Sequence, residues 1–150
     1  MRQHNLISRR FLLGGIAAIA FCQDVVAQGI KVPVNGGNLT PPQAHALATS
    51  NKIILVDVRR PDEWATTGSG EGAHRLDLRR KDFVTAIDAL VSGDKSAPIA
   101  LICARGVRSN RTSKRLKKAG FTNIIDVPEG MLGSRSGPGW IKRNLPVVKG

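Results

Sequence analysis

The sequence predicts an α/β domain built on a mainly parallel sheet. Three short apolar runs, Ile53-Ile54-Leu55-Val56, Ile99-Ala100-Leu101-Ile102 and Ile124-Ile125-Asp126-Val127, are bounded by polar residues and read as strands buried on both faces. Helical patterns stand between them, and strands alternating with helices over this length favour parallel connections. A chain of 150 residues has room for one domain.

Residues 28–39 are polar, with Asn35-Gly36-Gly37-Asn38 at their centre, and read as an extended lead-in. Thr40 is suited to cap a helix, with Pro41 and Pro42 at its first positions and Ala44, Leu47 and Ala48 on one face. The strand at 53–56 follows, and residues 74–78 read as a further short strand. Phe83, Ala86, Ile87 and Leu90 recur at helical spacing before the strand at 99–102. Residues 109–119 form a basic amphipathic stretch that Gly120 is suited to end. After the strand at 124–127, the segment Gly133-Ser134-Arg135-Ser136-Gly137-Pro138-Gly139 reads as a surface loop, and residues 140–144 as a final short helix. There is no internal repeat.

Composition narrows the function. Hydrophobic residues at 41% and charged residues at 23% describe an ordinary globular protein, neither disordered nor a polytopic membrane bundle. Aromatics at 4%, without tyrosine, argue against a base-stacking platform for single-stranded nucleic acid. A net charge of +12 favours anionic partners. Two cysteines make neither a disulfide scaffold nor a zinc-finger array.

The first 27 residues read as an address. Arg2, Arg9 and Arg10 precede an apolar run of 11 residues, 11–21, where a membrane-spanning helix needs about 20. A basic start, a short apolar run and a small residue at a cut after Ala27, with the tolerable Val25 two places before it, make a signal peptide. The pair Arg9-Arg10 directly before Phe11 resembles a twin-arginine export signal, with a general secretory signal as the alternative. Lipid attachment at Cys22 is disfavoured by the bulky Phe21 before it. The expected location is therefore periplasmic or secreted. Removing residues 1–27 takes away three arginines and Asp24, so +12 becomes +10, and leaves Cys103 as the lone cysteine. A lone thiol in an exported chain is either an inert core residue or a reactive one.

Cys103 directly follows the run at 99–102 and precedes a helix, at the carboxyl end of a strand where open α/β sheets bind ligands. In Cys103-Ala104-Arg105-Gly106-Val107-Arg108-Ser109, Gly106 lets the backbone curl so that successive N–H groups point inward as an anion nest. Helix-start partial charge and the cations Arg105 and Arg108 add to it. This setting favours a thiolate with an anion held above it.

With Asp57-Val58-Arg59, Pro61-Asp62-Glu63-Trp64, Gly72-Ala73, the Cys103–Ser109 loop, Ala119-Gly120-Phe121-Thr122-Asn123 and Glu129-Gly130-Met131 in order, the chain resembles a single-domain rhodanese, a sulfurtransferase, over roughly residues 40–147. The resemblance implies a three-layer domain over 40–150, with a mainly parallel sheet of about five strands flanked by helices. It implies that Cys103 is the nucleophile, alternating between thiolate and persulfide. Ala104, Arg105, Gly106, Val107 and Arg108 would bind the substrate, with Arg105 and Arg108 facing its negative charge. Asp57, Arg59 and Ser109 are expected as structural support, Asp57 through an ion pair with Arg59. The chain departs from the family pattern at Ala104, where arginine is usual, and lacks the usual histidine in Gly68-Ser69-Gly70-Glu71-Gly72-Ala73.

Other readings follow from the same residues. His45 and His74 look isolated, so neither a metal nor another cofactor is expected. Lys114-Arg115-Leu116-Lys117-Lys118 reads as a solvated helix face, with no nucleic acid partner, and no membrane contact is expected after cleavage. The expected partners are a small sulfur-containing anion and a thiol or cyanide acceptor, with a redox or sulfur-acceptor protein as a further class. A sulfur carrier or docking module without free turnover is the alternative. A cysteine phosphatase or arsenate reductase fits less well, because only four residues separate Cys103 from Arg108 and such enzymes use a longer anion loop.

Overall fold

The computed structural model describes residues 29–150. The leader expected at 1–27, with Arg9, Arg10 and the cut after Ala27, lies outside the described residues. The elements run β1 (Gly37–Asn38), α1 (Pro41–Thr49), β2 (Ile54–Asp57), α2 (Pro61–Thr67), β3 (Ser69–Gly70), β4 (Ala73–Arg75), α3 (Phe83–Leu90), β5 (Ile99–Ile102), α4 (Val107–Lys118), β6 (Ile124–Asp126) and β7 (Val147–Val148).

Five strands form one sheet in the order β1-β6-β5-β2-β4, every pair parallel. A two-stranded antiparallel ribbon of β3 and β7 stands beside it. The apolar runs become the central strands because both sheet faces are covered. Leu55, Ala100, Ile102 and Ile125 pack with Ala44 and Leu47 of α1 and with Trp140 on one face. Val56, Ile99, Leu101 and Ile124 pack with Phe83 and Ile87 of α3 and Leu116 of α4 on the other. Each such side chain contributes about 1.5–3 kcal/mol on full burial, so the three layers are held chiefly by β2, β5 and β6.

Local chemistry starts the helices where the sequence indicates. Gln43 Oε1 accepts from the Thr40 N–H at 2.9 Å and from its hydroxyl at 3.1 Å, closing the first turn of α1. At α2, Pro61 sits at the first helical position and Glu63 Oε2 accepts from the Arg60 N–H at 3.1 Å.

Several boundaries differ from the sequence expectation. The lead-in is not wholly irregular, since Gly37–Asn38 adds an edge strand to β6. The strand expected at 74–78 ends at Arg75, although Leu76 and Leu78 still donate to the Asp57 and Val58 carbonyls at 3.0 and 3.4 Å. Helix α4 begins at Val107, two residues early. Residues 140–144 make turns rather than a helix. The Trp140 and Ile141 N–H groups bond across to Gly130 and Met131 carbonyls at 3.0 and 3.1 Å, and Asn144 has φ +55°. Those commitments leave no continuing helical ladder.

Candidate active site

Cys103 follows β5 at the carboxyl edge of the sheet, and only 1% of its surface is exposed. Gly106 N–H donates to Sγ at 3.2 Å, and the thiol lies 3.6 Å from Ser109 Oγ. Ser109 is fully buried and donates to the Gly106 carbonyl at 3.1 Å, tying the first turn of α4 to the loop beneath the sulfur.

The curl has two causes. Gly106 has φ +83°, and a Cβ there would run into the Pro128 carbonyl. Gly130, with φ +67°, lies against the Ala104 carbonyl and the Arg105 nitrogen, where a side chain has no room. Next to it, Met131 N–H and Leu132 N–H donate to the Cys103 and Ala104 carbonyls at 2.8 and 2.9 Å. These two loop carbonyls are thereby engaged away from the sulfur, and the Gly106 N–H faces it.

Asp57 and Arg59 form a buried support beside the loop. Arg59 is 1% exposed and Asp57 is fully buried. Arg59 Nε and Nη2 donate to the carboxylate at 2.9 and 2.7 Å, and Ser69 Oγ donates to Oδ2 at 2.8 Å. The remaining guanidinium N–H groups reach Thr67 Oγ1 and the Gly68 carbonyl at 2.9 and 2.7 Å. With its lone pairs taken up, Asp57 is a strut, not a free base.

The two loop arginines are placed differently from each other. Arg105 is exposed and its Nη1 only grazes the Gly133 carbonyl at 3.5 Å. Arg108 does not present a free charge to a substrate. Its two Nη atoms grip both oxygens of Glu63 at 2.7 and 2.5 Å in a fork. This Arg108 pairing holds the Glu63 carboxyl down at about 2, and the Arg108 guanidinium is raised in return. Glu63 is the site residue that the sequence reading left without a role. Its signal was its place three residues after the Arg60 cap. Ala104 is half-buried, and Val107 is 58% exposed on the outer side of the loop.

His45 is not isolated. Its Nε2 lies 2.7 Å from Glu71 Oε2, and its ring meets the buried Trp140 edge-on. Among the described residues no group of three His, Cys, Asp or Glu side chains is placed to hold a metal ion. Lys114, Arg115, Lys117 and Lys118 are exposed along α4, while Leu116 is buried.

Comparison with known proteins places this geometry in context. The chain is 29% identical over 127 residues to the probable adenylyltransferase/sulfurtransferase MoeZ of Mycobacterium tuberculosis, a stretch covering 84% of this chain and 30% of that protein. It is 24% identical over 121 residues to a tRNA uridine(34) hydroxylase of Legionella pneumophila, covering 77% of this chain and 47% of that one. The chain thus spans less than half the length of these two relatives. Among solved structures, the 30 kDa polysulfide-sulfur transferase homodimer of Wolinella succinogenes superposes with a TM-score of 0.55 at 21% identity, over 85% of this chain and 84% of that one, a likeness of fold. The rhodanese-like domain matches residues 40–135, the stretch that carries β2, the Cys103 loop and the Gly130 turn, and the chain therefore belongs to the rhodanese-like family.

Proposed function

We propose that the chain is a sulfurtransferase that carries a sulfane sulfur on Cys103, taking it from a thiosulfate-like donor and passing it to cyanide or a thiol. The observation that carries this reading is the loop geometry. The buried Cys103 sulfur receives the Gly106 N–H at 3.2 Å, while neighbouring carbonyls are tied back to Met131 and Leu132. The Cys103 thiolate attacks the outer sulfur of thiosulfate, and the S–S bond to the sulfonate breaks with its electron pair leaving on sulfite. The terminal sulfur of the persulfide keeps the negative charge beside the Gly106 N–H. An acceptor then attacks that sulfur and returns the electron pair to Sγ, giving ping-pong kinetics.

Intact mass measures this directly. Incubation with thiosulfate is expected to add about 32 Da, one sulfur atom, and cyanide to remove it. Cys103→Ser is expected to show neither change. A wild type that never gains the mass, or a serine variant with full turnover, overturns the reading.

One observation favours a second reading, a carrier that takes sulfur from a protein-bound persulfide. Arg108 is neutralised by Glu63, which weakens the pull on a free dianion. Steady-state turnover with thiosulfate and cyanide separates the two, since a carrier loads once and stalls. We infer further that residues 1–27 direct export, so that the sulfur chemistry takes place outside the cytoplasm.

A further inference from the structure

A groove beside the Cys103 loop holds charges that the loop chemistry leaves unused. It encloses about 630 Å3 between the start of α4 and the loop at 128–136. Arg105, Arg111, Lys114 and Arg135 line it, and among the described residues none of the four forms an ion pair. Asp126, the last residue of β6, lines the same groove with 7% of its surface exposed. Its Oδ1 is buried without a hydrogen-bond partner, and burial pushes the carboxyl above the usual carboxylate range. Glu63, Asp57 and Glu129 each hold an arginine, whereas Asp126 holds none although four cations share its groove. A buried carboxyl oxygen without a donor is costly to keep.

A ligand must answer both signs. A simple anion would answer the rim and leave the Asp126 carboxyl without a cation. A simple cation would suit Asp126 and meet four like charges. Val107, 58% exposed, and Pro128 offer an apolar wall for a short carbon chain. Gly106 lines the groove and also donates to Sγ, so this one residue stands between the groove and the sulfur.

We propose that this groove is the acceptor subsite, and that it takes a small thiol with an amino acid head, ammonium on Asp126 and carboxylate on the cationic rim. The acceptor role rests on the sulfurtransferase reading above. The acceptor thiol attacks the terminal sulfur of the Cys103 persulfide. A new S–S bond forms to the acceptor, the Sγ–S bond breaks with its electron pair returning to Sγ, and the thiol proton ends on the released hydropersulfide.

The test compares four acceptors on thiosulfate-loaded protein: L-cysteine, 3-mercaptopropionate, cysteamine and 2-mercaptoethanol. The double variant Arg111→Ala/Lys114→Ala, on the exposed side of α4, is expected to raise KM about 10-fold for the two carboxylate-bearing thiols and to leave the other two unchanged. Asp126→Asn is expected to raise KM for the two amines alone. Binding of S-methyl-L-cysteine, which cannot accept sulfur, is followed separately by NMR shifts at Asn110, Lys114 and Ser136. Those shifts decide the groove independently of turnover. A protein that takes up no sulfur from any donor would end the sulfurtransferase reading and the acceptor role with it, while shifts at these residues would still establish the amino acid site. Absent shifts, or four acceptors that respond alike to the variants, overturn the subsite.

Discussion

Glu63 illustrates how one side chain sets the charge of the site. It caps α2 through the Arg60 N–H and neutralises Arg108 through both oxygens. Glu63→Gln frees the guanidinium and is expected to speed sulfur loading from thiosulfate. Arg108→Ala leaves the Glu63 charge opposed only by Arg60, whose Nε lies 3.4 Å from Oε2, and that carboxylate is expected to slow loading of an anionic donor about 10-fold to 100-fold, the equivalent of roughly 1.5–3 kcal/mol. A purely structural role would slow both variants, so stopped-flow loading rates decide. Stability carries the same signature. A carboxyl held at about 2 in the fold, against an ordinary 4.5, stabilises the folded state fully above 4.5 and loses that contribution as pH falls toward 2. Urea titrations above and inside this window are expected to show a smaller acid loss for Glu63→Gln than for wild type. Asp126 has the opposite sign. Its raised carboxyl favours the fold when protonated, and that advantage is lost as pH rises through its folded value. Asp126→Asn is therefore expected to raise Tm at neutral pH and to converge with wild type in acid.

At the scale of elements, the site is one β5–loop–α4 unit braced by the segment after β6. Gly130 is where the brace touches the loop, and its φ of +67° and closeness to the Ala104 carbonyl leave no place for a methyl group. Gly130→Ala is expected to cost at least about 1 kcal/mol from backbone strain alone and to reduce sulfur loading by displacing the loop. Thermal unfolding and intact mass after thiosulfate measure the two effects, and unchanged values in both would show that the brace is unimportant. The central strands were readable because continuous apolar runs mark burial on both faces. Helix α2 was not, because none of its residues is buried and its sequence carries no apolar stripe. Strands β1, β3 and β7 have two residues each, too short to carry any alternation.

For the whole molecule, net charge is the first property to set. The full chain carries +12, and the described residues include no helix long and apolar enough to cross a membrane. The inferred export route is open to test through Arg9 and Arg10. Replacing both with lysine keeps the charge, and a twin-arginine receptor that reads the guanidinium pair is expected to leave the precursor inside the cell. Normal export of that variant assigns the general secretory route, and full-length chain outside the cytoplasm would remove the cut after Ala27.

By itself the sequence determined the layered α/β class and the place and curl of the Cys103–Ser109 loop, since both are written in neighbouring residues. A buried strand is a run of apolar side chains, and a nest needs only a cysteine, a glycine turn and a helix start close together. The tertiary structure alone decided the partners. Arg108 meets Glu63 across 45 positions, and His45 meets Glu71 across 26. The Cys103 and Ala104 carbonyls find Met131 and Leu132, and Asp126 comes to share a groove with Arg111 and Arg135. Those meetings depend on the strand order β1-β6-β5-β2-β4, which sets distant segments side by side. Local patterns constrain the backbone within a few residues, and only packing fixes which charges are left to share a site.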